Sequence, residues 1–184
     1  MKSCQLDRKS LLIFGWVLLA GCQASPPKYP TVQISRVTSG QSVEWIDNSQ
    51  KPPVIQQGRL IGIDAPDLAQ EPWGKQAKQR LEELILPGKG TVSIEFEDTN
   101  ADKYGRKFVY LWQDGRLLNE QLLKDGYVLA SMRTPSSSSL NPSGTKYRER
   151  FIHGSQYARL MGQGIWNPEQ PMRMSPSEFR KEER

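Results

Sequence analysis

Apolar and polar residues alternate with a period of two in TVQISRV (31–37) and SVEWI (42–46), on either side of Thr38-Ser39-Gly40-Gln41. That period puts every second side chain on one face and predicts two strands joined by a turn. GRLIGID (58–64) predicts a third strand, TVSIEFE (91–97) alternates strictly as a fourth, and KFVYLW (107–112) is a fifth. Asp114-Gly115 closes the last of these with a dipeptide suited to the positive φ values of a tight hairpin. Between the third and fourth strands the period changes. Trp73, Ala77 and Leu81 recur every four residues, and Leu84 and Ile85 extend the stripe to about Leu86. Pro72 suits the first turn of that helix, and Pro87-Gly88 stops it. LNEQLLKDG (118–126) predicts a short helix ended by Gly126. TKYRERFIHGSQYARLMGQG (145–164) predicts a third helix, with Tyr147, Phe151, Ala158 and Met161 near one face and Gly154 weakening its middle. RTPSSSSLNPSG (133–144) reads as a loop. The tail from 168 to 184 combines proline with charges of both signs and is expected to be poorly ordered.

Five short strands in two groups, one helix after the third strand and two more at the end predict a β-rich α+β fold. The architecture that suits this order is a five-stranded Greek-key barrel of the OB type with three helices, spanning residues 31–167. No internal repeat is visible.

Length allows one ordinary domain with extra segments at its ends: the chain has 184 residues. Its one long apolar run, Leu11 to Cys22, is too short to span a bilayer and follows Lys2, Arg8 and Lys9. That is the basic and apolar layout of an export signal. It ends in Leu19-Ala20-Gly21-Cys22, which resembles a bacterial lipobox. Residues 1–21 are therefore expected to be a lipoprotein signal peptide and Cys22 a lipidated membrane anchor. Gln23 rather than aspartate follows, which by analogy leans towards the outer membrane within the cell envelope. Residues 22–30 then form a Pro-rich tether. Cleavage would remove Lys2, Arg8, Lys9 and Asp7, leaving 22 basic and 19 acidic residues, a net charge of +3. That is too mild for a protein that coats DNA by charge alone. Cys4 would leave with the signal and Cys22 would be lipidated, so no disulfide is expected. His153 is the only histidine, and no Cys/His cluster suits zinc.

RLIGIDAPD (59–67) places one arginine and two carboxylates at the end of an apolar strand. It is followed by GKQAKQRLEELI, then DTNADKYGRKFVYLW, GRLLNEQLLKDGYV and finally QGIWN. In that order and spacing these blocks resemble the staphylococcal nuclease (thermonuclease) family, over about residues 32 to 167. The resemblance implies an OB barrel with three helices and hydrolysis of phosphodiester bonds in DNA and RNA, typically with calcium. Carried over position by position, it makes Arg59 and Arg106 the catalytic arginines and Asp64 a metal ligand. Asp67 stands where the family usually has glutamate, and Lys103 and Tyr104 match residues that contact a terminal phosphate of the substrate.

The chemistry suits those residue types. A phosphodiester is an anion whose transition state gathers more negative charge, and guanidinium forks grip such oxygens with paired hydrogen bonds. A metal on carboxylates polarises the phosphate, and a second carboxylate can orient or deprotonate water. Each residue also has a plainer reading: a solvated arginine, a turn-forming Asp64 before Ala-Pro, a capping Asp67, a core Tyr104.

The chain departs from the family pattern in three places. The first hairpin usually carries Asp-Gly-Asp-Thr, whose second aspartate binds metal. Here Gln41 occupies that position, a weaker ligand for calcium. Ala65 replaces a threonine that offers its backbone carbonyl, a loss that a carbonyl survives. Asp67 is one methylene shorter than glutamate. The expectation is an exported, lipid-anchored nuclease acting on nucleic acid, assisted by calcium at a weakened site or by another divalent ion, with no protein partner. The alternative is a barrel that has lost turnover and binds single-stranded nucleic acid, a nucleotide or a protein partner in the same groove.

Overall fold

The structure is a computed structural model that describes residues 29–97, 101–131 and 146–183. The signal segment, Cys22, most of the tether and the loop at 133–144 lie outside the described residues.

Strand β1 (Thr31–Ser39) turns at Gly40 into β2 (Ser42–Asp47), which runs antiparallel to it and pairs in turn with β3 (Val54–Leu60). The chain kinks at Ile61-Gly62 and resumes as the two-residue strand β4 (Ile63–Asp64). Helix α1 (Trp73–Ile85) follows, buries Ala77, Leu81 and Ile85, and ends in a short 3-10 turn with Lys89 left-handed. Strands β5 (Thr91–Phe96) and β6 (Lys107–Gln113) pair antiparallel, and β5 returns to β1. Closure comes from a parallel pairing of β3 with β6: Gly58 with Lys107, Arg59 with Phe108, Leu60 with Val109. Five strands thus form the closed barrel of an OB fold.

After β6, Asp114 and Gly115 both take positive φ, and the two-residue β7 (Arg116–Leu117) pairs back. Then come α2 (Leu118–Lys124), β8 (Leu129–Ala130), α3 (Arg148–Met161) and α4 (Pro176–Glu182). Leu60, Leu81, Ile94, Val109, Leu122 and Phe151 are fully buried between barrel and helices. Buried Asn119 ties the two together. Its Nδ2 donates to the Ile61 carbonyl at 2.9 Å and its Oδ1 accepts from the Leu111 N–H at 3.1 Å.

Three sequence expectations need correction. The third strand begins at Val54, not Gly58, and ends at Leu60, because Gly62 takes a φ of +80° and its Cα lies against the Phe151 ring where no Cβ fits. Among the described residues there are four α-helices, where three were expected. The segment after Asn167 is folded: the Met172 N–H donates to the Ile165 carbonyl at 3.0 Å, and Gln70 Nε2 donates to the Met174 carbonyl at 2.8 Å. Ser175 and Glu178 form a capping box with Pro176 at the first turn of α4.

Candidate active site

Arg59 lies on β3 between Ser42 of β2 and Phe108 of β6, so two ladders fix its backbone. Its guanidinium makes no hydrogen bond or ion pair among the described residues. Burial pulls it below the usual guanidinium range, and repulsion from Arg106 and Arg180 acts the same way against attraction from Asp64 and Asp102. Three guanidiniums and two carboxylates therefore share one field, with an excess of positive charge.

Arg106 stands just before β6 on a turn built by Asp102. The Asp102 carboxylate accepts from the backbone N–H groups of Tyr104 (2.9 Å) and Arg106 (3.0 Å). Its Oδ2 takes Arg106 Nε at 2.8 Å and Nη2 at 2.6 Å. Burial works to raise the Asp102 carboxyl, but these hydrogen bonds outweigh it and hold the group below the usual range. Arg106 Nη1 donates to the Ser42 hydroxyl at 3.2 Å. Tyr104 is 66% exposed, so it is no core residue. Its ring lies 4.8 Å from Lys103 Nζ and 5.3 Å from the Arg106 guanidinium carbon. Beside Arg106 opens a groove of about 470 Å³ lined by Ser42, Glu44, Gln57 and Tyr104 among others.

Asp64 is held by the pairing of β4 with β8, opposite Leu129. The next residue, Ala65, gives its N–H to Gln41 Oε1 at 2.9 Å, and the Gln41 carbonyl accepts from the Leu60 N–H at 2.8 Å. Gln41 thus fastens the first hairpin to both ends of the Leu60–Ala65 kink. Gly40 permits this approach: a Cβ there would lie 2.6 Å from the Ala77 Cβ. Both Asp64 oxygens accept from Arg180 Nη2 of α4, at 2.7 and 2.8 Å, and Arg180 Nη1 lies 3.4 Å from the Ala65 carbonyl.

These contacts bring Arg59, Arg106 and Asp64 into one site. Asp67 is half-buried in the loop before α1, where its Oδ1 accepts from the Ala69 N–H at 3.1 Å. It makes no hydrogen bond or ion pair with the arginines among the described residues. His153 is exposed on α3. Asp102, Ser42 and Arg180 were not singled out from the sequence. Asp102 had a signal, being four residues before Arg106 inside the DKYGR block. Arg180 had only the Ser-x-x-Glu start of its helix.

Calcium takes six to eight oxygens, most of them charged or carbonyl. Here the Asp64 carboxylate and Ala65 carbonyl face a guanidinium, and the Gln41 side-chain oxygen is turned to a backbone N–H. No group of three or more His, Cys, Asp or Glu able to hold a metal occurs among the described residues. The residues as arranged do not fit a divalent ion.

Residues 57–168 match the family model described as "Staphylococcal nuclease homologue". The chain is similar to the thermonuclease of Staphylococcus hyicus, 28% identical over 74% of this chain and 76% of that protein. It is also similar to endonuclease YncB of Bacillus subtilis, 30% identical over 76% of this chain and 63% of the relative. A third relative, the SPbeta prophage-derived endonuclease YokF of Bacillus subtilis, is 29% identical over 74% of this chain and 44% of its own length. The chain thus spans less than two thirds of two of these three relatives.

Proposed function

The chain belongs to the staphylococcal nuclease homologue family, and from that premise we propose that it is an exported, lipid-anchored nuclease hydrolysing phosphodiester bonds of DNA, RNA or both. The observation that carries the reading is the convergence of Arg59, Arg106 and Arg180 around two carboxylates, with the half-buried Arg59 guanidinium lacking a hydrogen-bond partner among the described residues. A half-buried, unpaired cation of this kind is stabilised by an anion, and a phosphodiester supplies one.

Arg59 and Arg106 bind the phosphoryl oxygens and stabilise the charge that grows on them as water attacks phosphorus. Asp102 and Ser42 hold the Arg106 fork in place beforehand. Asp67 orients the water and accepts its proton, with one oxygen on the Ala69 N–H and the other left for that task. The bond from phosphorus to the leaving oxygen then breaks. Tyr104 lines the groove beside Arg106 and carries the Lys103 ammonium over its ring, so the pair would meet a flanking phosphate there. The family typically uses calcium, but the residues as arranged here do not fit that ion.

Anchoring rests on the sequence around Cys22. No helix among the described residues is long and apolar enough to cross a membrane. Fatty-acid labelling of cells should mark the wild type and spare Cys22→Ser; equal incorporation in both removes the anchor. For activity, the protein is incubated with single-stranded DNA and RNA in calcium, in other divalent ions and in chelator. Cleavage of either polymer under at least one condition is expected. Salt-sensitive binding without cleavage anywhere would make the barrel a nucleic-acid binding module instead.

A further inference from the structure

A metal ion in a phosphodiester site carries positive charge between an acidic side chain and a phosphoryl oxygen. In this chain the acidic side chain is Asp64, and a positive charge is already seated on it. Arg180 Nη2 donates to both Asp64 oxygens, at 2.7 and 2.8 Å, and Nη1 faces the Ala65 carbonyl at 3.4 Å. Those are the two groups that the family resemblance assigns to metal. The third position, Gln41, is neutral and spends its oxygen on the Ala65 N–H. The two changes are coherent. Without a second carboxylate from the hairpin, the remaining single negative charge matches a guanidinium better than a divalent ion.

Arg180 reaches this point along a built path. The Ser175 capping box and buried Pro176 start α4, and Gln70, from the loop after Asp64, holds the Met174 carbonyl. The contact to Asp64 joins residues 116 positions apart in the chain. A guanidinium carries five N–H bonds. Asp64 and Ala65 take three, and the Nε–H and second Nη1–H of Arg180 have no hydrogen-bond partner among the described residues. Arg180 is also close enough to Arg59 for the two charges to repel, a repulsion that a phosphate shared between them would relieve.

We propose that Arg180 is the resident cation of the active site, standing where the family holds metal, so that the chain binds and cleaves phosphodiesters with three arginines and no bound divalent ion. This rests on the nuclease reading above, and the test separates the two.

The full chain, purified in detergent, is compared with Arg180→Ala and with Arg180→Gln, which keeps a hydrogen-bond donor near Asp64 but removes the charge. Affinity for a fluorescent single-stranded oligonucleotide and its cleavage rate are both measured, in EDTA and in millimolar calcium, with circular dichroism reporting folding. The wild type should bind and cleave equally in both solutions. In EDTA both variants should lose about 100-fold in cleavage rate and bind the oligonucleotide more weakly. Wild-type cleavage abolished by EDTA would overturn the proposal. So would variants as fast as the wild type in EDTA, or faster, the latter making Arg180 a plug over the site. If Arg180→Ala fails to fold, Arg180→Gln carries the comparison. If the wild type cleaves in neither solution, the nuclease reading fails, while the affinities still decide the role of Arg180: weaker binding by the variants in EDTA supports it, and unchanged binding overturns it.

Discussion

Asp102 shows how a single side chain prepares a site without touching the reaction. Its carboxylate closes the turn at Tyr104 and Arg106 through backbone N–H groups and holds the Arg106 fork through Nε and Nη2. Asp102→Asn would keep the size, weaken the ion pair and let Arg106 drift. A misplacement of about 1 Å at a reacting centre costs on the order of 100-fold. The expected result is a fall in kcat/KM of that size with most of it in kcat, measured on a single-stranded oligonucleotide. Arg59 and Arg106 were legible as candidates because they stand in the RLIGIDAPD and DKYGR blocks. Arg180 was not, because its partner lies 116 positions away and its surroundings look like a solvated tail.

The hairpin of β1 and β2 is fastened to the Leu60–Ala65 kink through one residue, Gln41. Gln41 is buried, and Gln41→Ala would leave the Ala65 N–H and a neighbouring cavity unfilled. Losing such a partner costs about 1–3 kcal/mol, which urea unfolding should read as a lower midpoint with an unchanged m-value. On β5, Glu95 is buried among Lys146, Trp112 and Tyr147. Burial works to raise its carboxyl, but the hydrogen bonds from Lys146, Trp112 and Tyr147 win and hold it below the usual value of 4.5. A carboxyl depressed in the folded state adds stability that is fully present above its ordinary value and is lost as pH falls through the folded one. Thermal melts should therefore drop more steeply with acid below about pH 4.5 in the wild type than in Glu95→Gln.

Elements with a clean period were legible in advance. The strictly alternating TVSIEFE became β5, and the Asp114-Gly115 turn took the φ values expected of it. The start of β3 was hidden because Pro52-Pro53 and a polar Gln56-Gln57 pair obscure the alternation before Gly58. Helix α4 was missed because its charges mask a short amphipathic segment, although Ser175-Pro176-Ser177-Glu178 carries a capping-box start.

Across the whole molecule, the candidate site residues gather where the barrel closes. β3 and β6 meet in parallel there, and β3 holds Arg59 while the chain leading into β6 holds Arg106. The kink after β3 presents Asp64, and the C-terminal helix returns to cover it with Arg180. Removal of the expected signal lowers the formal net charge from +5 to only +3, so attraction to nucleic acid depends on this local excess rather than on overall charge. Oligonucleotide affinity should accordingly fall only gently with salt, by a slope that reports a few phosphate contacts at about 0.7 per contact for single strands. The central claim is that Arg59 and Arg106 act together on one scissile phosphate. It is tested most directly by kcat/KM of the full chain on a single-stranded oligonucleotide, wild type beside Arg59→Ala and Arg106→Ala. Each variant should fold as the wild type does and lose about 100-fold or more. Either variant cleaving as fast as the wild type would contradict the account.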